Sequence, residues 1–197
     1  MPRTNRPHVL LITGIPGVGK TTVARRVAEQ IEPGKLRGFY TEEMREAGER
    51  RGFRLVGFDG TKRVIAHVDF PREFQVGKYG VDIPALDTAA MLLRPDPSAR
   101  LFLVDEIGKM ECLSERLVGA MRVLLAGNVP VVATIGARGG GFIAEVKKRP
   151  DCELWEVTRH NRDELPAHIL EWLTGTRPST GALSRLRRSP HRWRSDG

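Results

Sequence analysis

The sequence predicts an α/β protein with a mostly parallel sheet, into which an antiparallel β-meander is inserted. Three observations carry that expectation. A glycine-rich stretch, Gly14 to Thr22, sits between a short apolar run and an amphipathic helix pattern. Two further apolar runs, Leu101–Val104 and Val129–Ile135, read as buried parallel strands, which are covered on both faces and so lack polar alternation. Between the first helix and those runs lie short strand-like segments divided by polar turns.

The elements follow in order. His8–Thr13 is the first strand, apolar and short. After the glycines, Val23, Val27 and Ile31 recur every fourth residue, with Arg25, Arg26, Glu29 and Gln30 turned outward. Pro33-Gly34 stops that helix. Phe39–Thr41 and Phe53–Phe58 form strands around a Glu46-Ala47-Gly48-Glu49 turn, and Asp59-Gly60 leads into Val64–Val68. Tyr79–Asp82 and Pro84 read as a loop, and Ala85–Leu93 as a short helix. A helix from Ser114 has Leu117, Met121, Leu124 and Leu125 as its apolar stripe and ends at Gly127-Asn128.

The glycine stretch fits the spacing G-x-x-x-x-G-K-S/T, with Gly14, Gly19, Lys20 and Thr21 in the defining places. Glycines allow consecutive N–H groups to turn inward around phosphates, and Ile15, Pro16, Gly17 and Val18 complete the cradle. Lys20 brings a point charge to the outer phosphates. The Thr21 hydroxyl is in place for Mg²⁺, and Thr22 continues into a helix whose dipole favours anions. Strand, glycine loop and helix together make this a phosphate site.

A second site closes the run Leu101–Val104, where Asp105 and Glu106 emerge at the carboxyl end of the strand. Open α/β sheets bind ligands at that end. Asp105 suits a metal, directly or through water. Glu106 beside it can orient and deprotonate a water for attack on phosphorus, or can simply cap or pair with Lys109. Lys109 and Glu111 read equally as phosphate or water contacts and as a surface pair. Thr134 is γ-phosphate sensor or β-branched strand filler. Arg138, in the glycine-rich and compositionally mobile loop 136–141, is either a charge stabiliser or a solvated arginine.

Composition narrows the classes. With 197 residues, 40% of them hydrophobic, one good core is expected, spanning residues 1–173 as one domain. The net charge is +8, but five of those charges sit from Thr174 onward, where six arginines face one acid. Residues 174–197 are therefore expected to be a disordered basic tail, open at most to weak nucleic-acid contact, and the body to bind none. Cys112 and Cys152 have no paired spacing, which fits neither a zinc site nor a disulfide framework and agrees with a reducing cytoplasm. The run Val9–Ile12 is too short for a signal peptide or a membrane span, so a cytoplasmic monomer is expected.

Several segments follow the glycine loop in one order: Gly38–Glu43, Val76–Val81, Val104–Glu111, Ala133–Ile135, and Val157-Thr158 with Asn161-Arg162. Together they resemble the small P-loop nucleoside-triphosphatase family of thermophilic archaea and bacteria, the cancer-related NTPase family in animals, from about Val9 to Leu173. The string Asp-Glu-Ile-Gly-Lys-Met-Glu is the selective part. The resemblance implies a three-layer RecA-like fold and slow, Mg²⁺-dependent hydrolysis of ATP, GTP and other nucleoside triphosphates. It carries over Gly14–Thr22 for phosphates, Thr21 and Asp105 for metal, and Glu106 for the attacking water. Asn161 and Arg162 fall where a loop near the base is expected, although Asn161 with Glu164 also reads as a helix-capping pair, which is the stronger reading. Three activities compete: transfer of phosphate to water, a small-molecule or nucleotide kinase, and a nucleotide-dependent switch. Glu106 directly after Asp105 favours water, and no lid bearing an arginine is evident for a kinase.

Overall fold

The computed structural model describes residues 7–175. The expected tail lies outside them, except Thr174 and Gly175, which finish the last helix. In chain order the elements are β1 (Val9–Thr13), α1 (Lys20–Ala28), β2 (Leu36–Glu46), β3 (Glu49–Gly57), β4 (Lys62–His67), β5 (Gln75–Val76) and β6 (Tyr79–Val81). Then come α2 (Ile83–Ala89), β7 (Leu101–Ile107), α3 (Glu115–Leu125), β8 (Val131–Ile135), α4 (Gly141–Lys147), β9 (Cys152–Glu156) and α5 (Leu165–Thr174). Short 3₁₀ turns follow α2 (Ala90–Leu93) and β7 (Glu111–Leu113).

All the strands join one sheet in the order β5-β6-β4-β3-β2-β7-β8-β1-β9. The five strands from β2 to β9 in that order run parallel, and β2 to β5 form an antiparallel extension at one edge. This is the parallel core with an inserted meander that the sequence predicts. Helices cover both faces. Leu10, Ile12, Leu101, Leu103 and Val132 point towards α1 and α5, where Val23, Val27, Leu165, Ile169 and Trp172 complete one core. Leu11, Phe102, Val104 and Ala133 point the other way, towards Leu86, Leu117, Met121, Phe142 and Val146 of α2, α3 and α4. Strand alternation thus divides each run of apolar residues between two cores.

Several boundaries differ from expectation for local reasons. Helix α1 stops at Ala28, because Gln30 and Ile31 donate to Val27 and Ala28, three residues back, which tightens the last turn ahead of Pro33. Ile31 therefore packs from beyond the helix. The Tyr79–Val81 segment is a strand rather than a loop: it pairs with β4 through Ala66–Val81 and His67–Gly80. Asp82 then caps α2 by accepting from the Ala85 N–H at 2.9 Å. Helix α4 and strand β9 had no clear signal, being short and, for α4, entered through glycines. Among the described residues no helix is long and apolar enough to cross a membrane.

The meander joins the parallel core at Gly38, which takes a φ of 103° beside the Leu103 carbonyl. A Cβ there would stand 2.0 Å from that oxygen. Gly38→Ala is therefore expected to destabilise the fold by about 3 kcal/mol or more. A fall of roughly 10 °C in thermal melting is the measure, and an unchanged melting temperature would remove this junction from the list of fold determinants.

Candidate active site

The carboxyl ends of β1, β7 and β8 meet because β8 lies between the other two. Register sets Ile12 against Thr134 and Val104 against Ala133, so the residues just beyond share one edge. The register between β7 and β8 shifts after Val104, which is a bulge that re-aims the acids. The peptide bond between Asp105 and Glu106 is cis.

After β1 the chain passes through Gly14–Gly19 into α1. Val18 donates back to Ile15 at 3.3 Å, and Gly19, at φ 111°, is the N-cap in a left-handed conformation. No side chain caps α1, and its first turn holds no acid. Its leading N–H groups are thus left for an anion. Pro16, Gly17 and Thr22 are exposed, as is Ile15 at 63% of its surface, whereas Lys20 is 9% exposed. The Lys20 ammonium donates to the Gly14 carbonyl at 3.4 Å and lies 3.6 Å from Glu106 Oε2.

Asp105 is fully buried on the face that carries Lys20. Thr134 donates its hydroxyl to Asp105 Oδ1 at 2.5 Å. Burial pushes the Asp105 carboxyl above the usual carboxylate range; the hydroxyls of Thr134 and Thr21 oppose this, Glu106 reinforces it, and Lys20 opposes it. The second oxygen, Oδ2, is buried without a hydrogen-bond partner. A buried anionic oxygen left without a partner beside a threonine hydroxyl is a donor set that suits a hard divalent cation such as Mg²⁺. Thr13, at the end of β1, also has a buried hydroxyl without a partner. It closes the apolar run before the glycines, a polar residue where strand packing asked for none, and that was its signal in the sequence.

Glu106 therefore pairs with Lys20 at the start of α1 and not with Lys109, which is exposed. Glu111 is 5% exposed, so Lys109 and Glu111 are no surface pair. Burial pushes the Glu111 carboxyl up to about 8, and neighbouring Glu106 and Asp105 add to the rise against backbone N–H groups that lower it. Thr134 is more than strand filler, since its hydroxyl is committed to Asp105. Arg138 is exposed. Its loop is fastened by Lys147, whose ammonium donates to the carbonyls of Gly136 at 2.6 Å and Ala137 at 3.0 Å.

Asn161 does not cap α5. Its side chain turns back, accepting from the Thr158 N–H and donating to the Glu156 carbonyl, both at 2.8 Å. The helix begins later, at Leu165, with Pro166 in its first turn. Arg162 reaches the glycine loop: its Cδ would lie 3.7 Å from a Cβ on Gly19. With Gly19, Thr22, Val23, Arg26 and Asp163 it lines a cavity of about 250 Å³.

A family profile described as NTPase matches residues 9–170. The chain is 38% identical over 166 residues to nucleoside-triphosphatase THEP1 of Thermotoga sp. (strain RQ2), covering 83% of this chain and 94% of that relative. It is 35% identical over 188 residues to the human cancer-related nucleoside-triphosphatase, covering 86% and 98% respectively. Among solved structures, THEP1 from the hyperthermophile Aquifex aeolicus superposes with a TM-score of 0.72 at 35% identity, over 83% of this chain and 98% of that one. The human protein's solution structure gives 0.74 at 33% identity, over 86% and 99%.

The buried Glu111 carries a pH signature. Its affinity for protons is higher folded than unfolded, so its contribution to stability is complete below the ordinary value of 4.5 and is lost as pH rises to about 8. Wild type should therefore lose stability relative to Glu111→Gln across that interval, which paired thermal melts at several pH values will read. A difference independent of pH would mean that Glu111 is ionised throughout.

Proposed function

The chain belongs to the NTPase family, and from that premise we propose that it hydrolyses the terminal phosphate of nucleoside triphosphates, using Mg²⁺. The observation that carries this reading is the pairing of two unlike acids at one strand end. Asp105 is buried with a free oxygen, and Glu106 is partly open and 3.6 Å from the phosphate-loop lysine.

The backbone N–H groups of Gly14–Thr22 other than Pro16 and the Lys20 ammonium hold the phosphate chain, and the uncapped N-terminus of α1 adds its dipole. Thr21 and Asp105 would hold Mg²⁺, which when bound offsets negative charge on the phosphate oxygens. Glu106 orients a water towards the terminal phosphorus and accepts its proton, in line with the leaving oxygen. Thr134 serves Asp105, fixing which oxygen faces the site.

Base selectivity is loose. The cavity beside Gly19 offers the flat guanidinium of Arg162 and the side chains of Thr22, Val23 and Arg26. Asp163, the acid there, is engaged by Arg26 at 3.2 Å, and the Asn161 amide is spent inside its own loop. Stacking on a guanidinium accepts any base, because every base has a π face. ATP and GTP are therefore both substrates. Turnover is slow, and Arg138, a candidate charge stabiliser, is exposed.

Phosphate release from Mg-ATP, Mg-GTP and Mg-CTP tests the reading. Glu106→Gln should bind nucleotide normally and lose turnover by a factor on the order of 100 or more. Lys20→Ala should lose tight binding. Wild-type turnover in Glu106→Gln would sink the role given to that residue.

A further inference from the structure

Glu106 does not stand free. Its carboxylate lies in a slot between two glycines, with Oε1 3.2 Å from where a Cβ on Gly108 would be and 3.7 Å from where one on Gly136 would be. The same Gly108 position is approached from elsewhere by Glu111 Oε2, at 2.8 Å. Two carboxyl groups thus press on one side of a single glycine, and no side chain larger than hydrogen fits there without moving one of them. The turn between them is closed by its own backbone. Cys112 donates to the Gly108 carbonyl at 3.2 Å, Ser114 to that of Glu111 at 3.3 Å, and Gly136 to that of Ile107 at 3.1 Å.

We propose that Glu111 is a positioning residue for Glu106, bracing the turn from Ile107 to Met110 so that the Glu106 carboxylate keeps its place in the slot, without touching nucleotide itself. The inference rests on Glu106 being the group that aligns water.

Glu111 is 5% exposed, and its neighbour Lys109 points to solvent. An acid buried in a turn costs free energy that a leucine would not. What the acid adds is hydrogen bonding to the N–H groups of Gly108 and of Glu111 itself. Because burial favours its protonated form, it can stand close to Glu106 without repelling it. It also leaves the Lys20 ammonium to Glu106 and the phosphates. Glu111 therefore acts on the rate through the placement of another side chain.

A double-mutant cycle separates this from a purely structural role. Glu111→Ala and Glu111→Gln are made in the wild-type and Glu106→Gln backgrounds, with Mg-ATP affinity and kcat measured for each. Glu111→Ala is expected to lower kcat roughly tenfold or more while affinity stays within about twofold. Glu111→Gln, neutral and of the same size, should restore most of that loss. In the Glu106→Gln background, Glu111→Ala should cost nothing further. A full additional loss there, or lost affinity with kcat intact, overturns the proposal while leaving Glu106 as the base. Wild-type turnover in Glu106→Gln alone overturns the base assignment and this inference with it. Should Glu111→Ala fail to fold, Gly108→Ala probes the same contact by crowding both carboxyls. It should lower kcat alone, again only where Glu106 is present, and full activity in that variant overturns the proposal.

Discussion

Burying Asp105 takes a carboxylate out of water, which costs several kcal/mol unless neighbouring groups compensate. Thr134 supplies one strong hydrogen bond, and it can do so only because β8 is threaded between β1 and β7. The strand order is therefore not incidental to the site. It puts the acid-bearing strand two positions away from the strand that feeds the glycine loop, with a hydroxyl from the intervening strand between them. The unpartnered Oδ2 is what remains after that arrangement. The bulge after Val104 finishes the geometry: strict alternation with Leu101 and Leu103 ends there, and the re-aimed Asp105 meets the Thr134 hydroxyl.

The loops at this edge are fixed by polar side chains bonding to backbone. Lys147 ties down Gly136 and Ala137, and Asn161 ties Thr158 to Glu156. Both side chains spend their hydrogen bonds on conformation. Such bonds satisfy carbonyl and N–H groups that a loop between a strand and a helix otherwise leaves to water. A glycine-rich composition suggested mobility after β8, but a helix two turns long supplies the ammonium that holds the loop's first two carbonyls. Arg162, one residue beyond a fixed Asn161, is thereby held against Gly19.

The parallel core, the glycine loop before α1 and the two acids after Val104 were legible because each depends on contiguous residues. The relations between side chains were not. Nothing local says that Thr134 bonds Asp105, since the two are 29 residues apart and meet only once three strands have taken their order. Nor does a hydrophilic string such as Gly-Lys-Met-Glu disclose that its glutamate is buried and its lysine exposed; a 3₁₀ turn at Glu111–Leu113 decides that. Asn161 misled because a capping asparagine accepts from N–H groups ahead of it in the chain, whereas this amide turns back to Thr158 and Glu156. The strand at Tyr79–Val81 was hidden for a different reason: at three residues, one of them glycine, it is too short to show alternation.

In the proposed reaction Lys20 has two claims upon it. Its ammonium now lies between the Gly14 carbonyl and Glu106, and triphosphate oxygens carry far more negative charge than either. As Lys20 turns to the phosphates, Glu106 loses its ion-pair partner. Water alignment then needs the Glu106 carboxylate to stay where it is when its partner leaves, and an ion pair cannot provide that, because it is the ion pair that is lost. The restraint has to come from elsewhere in the strand end. Gly108 and Gly136 give the slot its width, and the buried carboxyl of Glu111 closes one side of it, independent of the lysine.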